Sequence, residues 1–274
     1  MFVMSSNSWK NRDKIKIFNT LVDNISFDEG KEILKEMLDE DRFHIVFTPN
    51  TEIVMACRDD RELAESVNSA DLVVADGIGL VIGSKMKQLP LRERVTGFDL
   101  SVAMLELAKE KDKKIFFLGA EPGVAEKARE EVEAVYGDIV AGVHHGYFKG
   151  AHRGFDDHEE EKKVIDAINA SKADILFVGL GFPKQEQFIL NNAEKFSHLK
   201  IAIGNGGVLD VLAGKAKRAP DIFIKLNLEW FYRLIKNPSR ISRQLVIPKF
   251  LWSVWRDSQS VCVVKKTKGG SYAK

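Results

Sequence analysis

Short apolar runs rich in β-branched residues recur along the chain, at 43–47, 72–75, 114–118, 139–142, 174–179 and 200–203, and most stop at glycine or a polar turn before a helical pattern begins. Runs this apolar suit strands buried on both faces, and strands alternating with helices specify a mostly parallel sheet with helices on both sides. The pattern therefore predicts an α/β body over residues 1–220. In such open sheets ligands bind at the C-terminal edge of the strands, and Thr48, Asn50, Asp76, Gly119, Gly181 and Gly204 all fall at predicted strand ends.

The most informative of these ends is Asp71-Leu-Val-Val-Ala-Asp76-Gly-Ile-Gly79. Asp76 reads in two ways: as the cap of a helix starting near Ile78, or as a carboxylate held on a rigid element for chemistry. Thr48-Pro49-Asn50 offers polar side chains at a neighbouring edge, and the charged link 91–99 can bring Arg94 over the same place. Gly119-Ala-Glu-Pro-Gly123 is a strand-to-helix turn able to hold an anion, although Glu121 inside it opposes a phosphate. Gly179-Leu-Gly181-Phe-Pro183-Lys184-Gln185-Glu186 is only half a dinucleotide fingerprint, with Lys184 where the third glycine belongs, and it lies late in the chain. A dehydrogenase is thereby disfavoured. The turn still brings backbone close to a ligand, with Lys184 and Gln185 placed to touch it. Gly204-Asn-Gly206-Gly207 has more glycine than a turn requires, which fits close approach of a phosphate or nucleoside at Gly204 and Gly206, with Asp210 one turn on near a ribose hydroxyl.

Net charge hides an asymmetry. Residues 213–274 carry fourteen Lys and Arg against three acids, or +11, leaving 27 basic and 37 acidic residues, or −10, in the first 212. Residues 221–274 are accordingly expected as a basic, amphipathic helical appendage with a disordered tail. One helix is expected from Asp221, with Phe223, Leu226, Trp230 and Leu234 on its apolar face, and a second from Ser239 to about Asp257, kinked or divided at Pro248. Phe250, Leu251, Trp252, Val254 and Trp255 suit the headgroup boundary, and Lys249 and the arginines interrupt any spanning run, so the segment is expected to lie on an anionic membrane. Cys57 and Cys262 belong to no CxxC or Cys/His cluster, and the N-terminus lacks an apolar signal core, both pointing to a cytosolic setting. Adjacent His144 and His145 match no helical ligand pair, so no metal is expected there, while 152–158 reads as a surface loop and Asp28 as the cap of a helix reaching Glu40.

Taken in order, Thr-Pro-Asn at 48–50, Ala-Asp-Gly at 75–77, Arg94 with Gly97 and Asp99, Phe-Leu-Gly-Ala at 117–120, Gly-Leu-Gly-x-Pro-Lys-Gln-Glu at 179–186, Ala-Gly-Lys-Ala-Lys-Arg-Ala-Pro at 213–220 and Leu-Glu-Trp-Phe-Tyr-Arg-Leu at 228–234 resemble the WecG/TagA/CpsF glycosyltransferase family. The resemblance implies a Rossmann-like sheet and inverting transfer of a sugar from a UDP donor to an undecaprenyl-diphosphate-linked sugar at the inner membrane face, without metal or cofactor. For the teichoic-acid branch the sugar is N-acetylmannosamine and the acceptor lipid-linked N-acetylglucosamine. A related donor such as N-acetylmannosaminuronic acid, used in antigen, capsule or exopolysaccharide synthesis, is the alternative, and a non-catalytic membrane-binding protein is the alternative of another class. By resemblance Asp76 is the general base, Thr48, Asn50, Arg94 and Gln185 line the sugar and diphosphate site, and Asp210 lies near the nucleoside. Arg233, Arg240 and Arg243 are implied to reach the diphosphate. The chain departs from the family at Asn205, where valine is usual. Nucleic acid is not an expected partner, and a homo-oligomer remains open.

Overall fold

The computed structural model describes residues 8–220, 222–223, 228–236, 245–266 and 272–273. A hairpin of β1 (Lys14–Ile17) and β2 (Thr20–Asp23) precedes helix α1 (Phe27–Asp39). Strand and helix then alternate through β3 (His44–Phe47), α2 (Thr51–Asp59), α3 (Arg61–Asn68), β4 (Leu72–Val73), α4 (Ile78–Met86), α5 (Gly97–Glu110), β5 (Ile115–Gly119) and α6 (Val124–Tyr136). They continue with β6 (Val140–His144), α7 (Glu159–Ser171), β7 (Ile175–Gly179), α8 (Lys184–Asn192), β8 (Ile201–Gly204) and α9 (Val208–Leu212). Helices α10 (Glu229–Lys236) and α11 (Val246–Arg256) and strands β9 (Val261–Lys266) and β10 (Tyr272–Ala273) follow, and short 3₁₀ turns lie at Ser8–Asn11, Ala151–Arg153 and Ala193–Lys195.

Among the described residues six strands make one parallel sheet, ordered β4-β3-β8-β7-β5-β6. Alternate residues of each strand feed two cores. On one face Val46, Phe117, Phe177 and Ile203 pack under α1, α5, α6 and α9; on the other Ile45, Phe47, Phe116 and Leu176 pack under α2, α3, α7 and α8. Every residue of β3 and β5 is buried, which is why those runs read as continuous apolar segments. The expected parallel α/β body is thus present. Helix α1 is capped by Ser26, not Asp28: Ser26 and Glu29 form a reciprocal capping box, and Asp28 sits in the first turn.

A second, antiparallel sheet, ordered β10-β9-β1-β2, was not expected. Strand β9 pairs with β1 from Lys14↔Val264 to Ile17↔Val261, so residues expected as a disordered tail are a structural strand. Helix α11 begins at Val246, and Pro248 neither kinks nor divides it, because the first turn of a helix leaves its N–H groups unpaired anyway. Phe250 and Val254 are fully buried in a third core with Ile17, Val54 and Leu80. The expected separation at residue 220 therefore does not divide two cores: 246–266 completes the body. Of the helix expected from Asp221, Glu229–Lys236 is seen as α10, while Asp221, Leu226 and residues 239–244 lie outside the described residues. His152, expected in a surface loop, is only 4% exposed, its ring 4.5 Å from that of Phe148. The stretch folds inward because Glu161, itself buried, accepts hydrogen bonds from Ala151 N at 2.8 Å and Asn192 Nδ2 at 2.9 Å.

Seating α11 depends on Gly83 of α4, where an added Cβ would lie 2.6 Å from Phe250 Cε1. Gly83→Val should cost about 1–3 kcal/mol, the usual range for overpacking a tight core. Urea unfolding checks this, and an unchanged midpoint would show that α11 does not rest on α4.

Candidate active site

Along β3, β8, β7 and β5 the connecting helices leave alternately to opposite faces, through α2, α9, α8 and α6. Such reversals open crevices beyond the strand ends. Backbone hydrogen bonds gather three chain segments at the β3 and β4 ends. Asp76 N donates to Pro49 O at 3.1 Å, and Val95 N donates to Ala75 O at 3.0 Å. Asp76, Thr48, Asn50 and Arg94 are thereby brought to one edge.

The helix-cap position before α4 is taken by Gly77, which makes no side-chain cap bond, so Asp76 precedes the capping position. The glycines beside it are sterically required. A Cβ on Gly79 would lie 2.5 Å from Thr51 Oγ1, and one on Gly77 would lie 3.0 Å from Thr51 N. The start of α4 therefore rests on the start of α2, which Asn50 caps by accepting from Glu52 N and Ile53 N. Helix α5, capped by Thr96, meets the same place: a Cβ on Gly97 would lie 2.7 Å from the buried Thr48 Oγ1. Thr48 Oγ1 in turn lies 3.4 Å from the Gly204 carbonyl. Three helix N-termini converge on one spot, and their dipoles favour negative charge there.

Arg94 contributes the cation but is paired. Its Nη2 lies 3.0 Å from Glu229 Oε2, and each of the two side chains is only 11% exposed. Sequence reasoning missed Glu229, for no local pattern links residues on α10 to the link before α5. It also missed the clamp at 213–220, where Arg218 pairs with Asp99 and lies 4.5 Å from the centre of the Phe98 ring.

A second group lies at the β5, β7 and β8 ends. A Cβ on Gly119 would lie 2.5 Å from the Gly179 carbonyl oxygen, and one on Gly179 would lie 2.7 Å from the Gly206 carbonyl oxygen. Gln185 is 5% exposed; its Oε1 accepts from Gly206 N at 3.0 Å and its Nε2 donates to Glu186 Oε1 at 2.9 Å. Glu186, 2% exposed, has no partner for Oε2 among the described residues, and burial pushes its carboxyl up to about 7. Asn205 donates to Ser101 Oγ at 3.1 Å, so the residue that departs from the family pattern turns under α5. Asp210 is part-exposed, with Lys215 Nζ at 3.6 Å and Glu121 also on that lysine at 2.7 Å, which neutralises the acid inside the 119–123 turn. Lys184 is exposed at the start of α8. Arg240, Arg243 and the side chain of Arg233 lie outside the described residues.

An α/β sheet with a carboxylate, an arginine and a glycine-lined edge at its strand ends is an architecture suited to transferring a group from an anionic donor, and the comparisons agree. Residues 15–261 match the model of the Glycosyl transferase WecG/TagA/CpsF family. An N-acetylglucosaminyldiphosphoundecaprenol N-acetyl-beta-D-mannosaminyltransferase of Bacillus spizizenii is 37% identical over 227 residues, covering 81% of this chain and 83% of the relative. The protein of the same name in Staphylococcus aureus (strain MRSA252) is 35% identical over 267 residues, covering 97% of this chain and all of the relative. The chain belongs to the WecG/TagA/CpsF family and is a glycosyltransferase.

The buried Glu186 carboxyl gives the site a measurable signature. Its value in the fold lies above the reference 4.5, so the native state holds the proton more tightly than the unfolded chain does. Stability fully present below the unfolded value is then lost as pH rises toward about 7. Relative to Glu186→Gln, the wild type should lose up to about 3 kcal/mol of unfolding free energy between about pH 5 and about pH 8. Parallel urea titrations of the two proteins would refute this by showing the same pH dependence.

Proposed function

We propose that this enzyme transfers N-acetylmannosamine from a UDP donor to undecaprenyl-diphosphate-linked N-acetylglucosamine, with inversion and without a metal, in synthesis of the wall teichoic acid linkage unit. The relatives' names support the acceptor and the sugar over a uronic acid donor. The observation that carries the mechanism is the meeting of Asp76 with Arg94 and three helix N-termini at one strand edge. In this reading the Asp76 carboxylate takes the proton of the acceptor's C4 hydroxyl as its oxygen attacks the anomeric carbon. The C–O bond to UDP breaks on the opposite face, and the charge developing on the leaving diphosphate is met by Arg94 and the helix dipoles. Thr48, Asn50 and Gln185 border the sugar and diphosphate, with Lys184, Gly204, Gly206 and Asp210 toward the nucleotide. Arg233, Arg240 and Arg243 are the further diphosphate cations of this proposal. The pairing of Glu229 with Arg94 supports a role for the C-terminal segment beside the site, since Arg233 lies four residues on in the same helix.

The substrate's lipid requires a membrane, and the reading includes peripheral attachment at its inner face. No helix among the described residues is long and apolar enough to cross one. Support for attachment comes from the exposed Trp252 and Trp255 of α11, with Arg256 over the Trp252 ring at 5.3 Å, from the exposed Lys249, and from the exposed Ile82, Lys85 and Met86 of α4, the helix on which α11 packs through Gly83. Aromatic residues rimmed by cations suit the headgroup region of anionic lipid.

Incubating purified enzyme with UDP-N-acetylmannosamine and a short-chain lipid-diphosphate-N-acetylglucosamine, read by mass spectrometry, tests the activity with and without excess EDTA. Asp76→Asn should lower turnover by about 10²–10⁴ while leaving the fold intact. Near wild-type turnover would remove Asp76 from the base role, and magnesium-restorable loss in EDTA would end the metal-free claim. Co-sedimentation with anionic vesicles should fall for Trp252→Ala/Trp255→Ala, and equal sedimentation would refute attachment through this face.

A further inference from the structure

A carboxyl group buried to 2% exposure is costly, and Glu186 has no cation among the described residues to offset that cost. Its carboxyl accepts from Gln185 Nε2 at 2.9 Å, which joins it to a residue that touches the strand-end glycines. A primary amide can turn over, exchanging its oxygen and nitrogen, and only its environment decides which way it points. Here both ends are decided. Glu186 Oε1 accepts the NH₂ end, so the oxygen end faces Gly206 N–H at 3.0 Å. With the amide reversed, two donors would meet at Gly206, and the ionised Glu186 would face a second acceptor.

What the amide holds is a turn with little freedom. Gly206 has φ +49°, its carbonyl oxygen stands where a Cβ on Gly179 would lie at 2.7 Å, and Asn205 N donates to Val178 O at 3.1 Å. Gly204 leaves room for the same amide, since a Cβ there would lie 2.9 Å from Gln185 Nε2. The turn from β8 into α9 is therefore braced from α8 by Gln185, and Gln185 is set by Glu186.

We propose that Glu186 is a positioning residue for the transfer, orienting the Gln185 amide so that the 204–207 turn keeps the shape against which the sugar nucleotide binds. This rests on the reading above that Gln185 and the 204–207 turn border the donor. Glu186 touches no substrate in this role; it acts through Gln185.

The experiment compares steady-state kinetics and calorimetric UDP binding for Glu186→Gln, Glu186→Met and Gln185→Leu, each with its unfolding midpoint. Glu186→Gln keeps an acceptor of the same shape and should stay within about threefold of wild type. Glu186→Met keeps the volume but loses the acceptor, and should raise the donor KM and weaken UDP binding by about tenfold or more with a smaller change in kcat. Glu186→Met relieves the buried carboxyl but leaves the Gln185 NH₂ without its acceptor, and Gln185→Leu removes the same hydrogen bond from the other side, so the donor affinity of Glu186→Met should fall by more than its unfolding midpoint accounts for. A purely structural residue would not split these two readouts. Wild-type donor KM and UDP affinity in Glu186→Met, with Gln185→Leu impaired, would overturn the positioning role and leave the donor reading standing. Wild-type behaviour of Gln185→Leu would overturn both. If Glu186→Met does not fold, Glu186→Ala with the same readouts replaces it.

Discussion

The edge of this sheet is held by contact of main chain with main chain. At Gly119, Gly179 and Gly206 three neighbouring segments approach so closely that a single carbon on any of the first two would strike the next segment's carbonyl. Everything at that edge inherits its placement from this crowding. Strands this near leave no gap to be filled by side chains, so the polar groups around the cleft have to come from the next layer out: from the first turn of α8, the caps of α2 and α5, and the link that carries Arg94. The same economy governs the β3–β4 side, where Gly77, Gly79 and Gly97 let helix starts touch Thr51 and Thr48. Positive helix ends and backbone N–H groups are thus packed at a density that branched residues would prevent.

Much of this was legible in the sequence because the signals are local. The runs that became β5 and β7 are apolar on both faces, and the glycines after them announce turns that no other residue tolerates. Asp76 stood out for the same reason: an acid placed between a buried run and a glycine. Helix α6 runs from Val124 to Tyr136 between Gly123 and Gly137, two glycines at positive φ that mark its ends in the sequence itself.

What stayed hidden depends on partners far along the chain. Lys-Ile-Lys-Ile in β1 forms a hairpin with β2 but takes its other neighbour, β9, from about 250 residues later, and the hydrogen bonds between β1 and β9 leave no trace in either segment alone. Phe250 read as a membrane-facing aromatic; it is the fully buried ring that fills the space over Gly83, while Trp252 and Trp255 on the same helix stay outside. Helical periodicity placed apolar residues on faces but did not say which face meets the body. Glu186 and Glu229 were unreadable as buried acids because charge in a helical segment ordinarily marks the solvent side.

The pairing of β9 with β1 also bears on how the protein is made. A nascent chain emerges from its N-terminus at about 5–20 residues per second, so β1 is made well before β9. Until β9 and α11 follow, β1 lacks a neighbour on one side and the groove over α4 lacks Phe250 and Val254. In that interval an unpaired strand edge and an apolar groove of the same core stand open. The third core is therefore closed by a late-made segment folding back over the first strand.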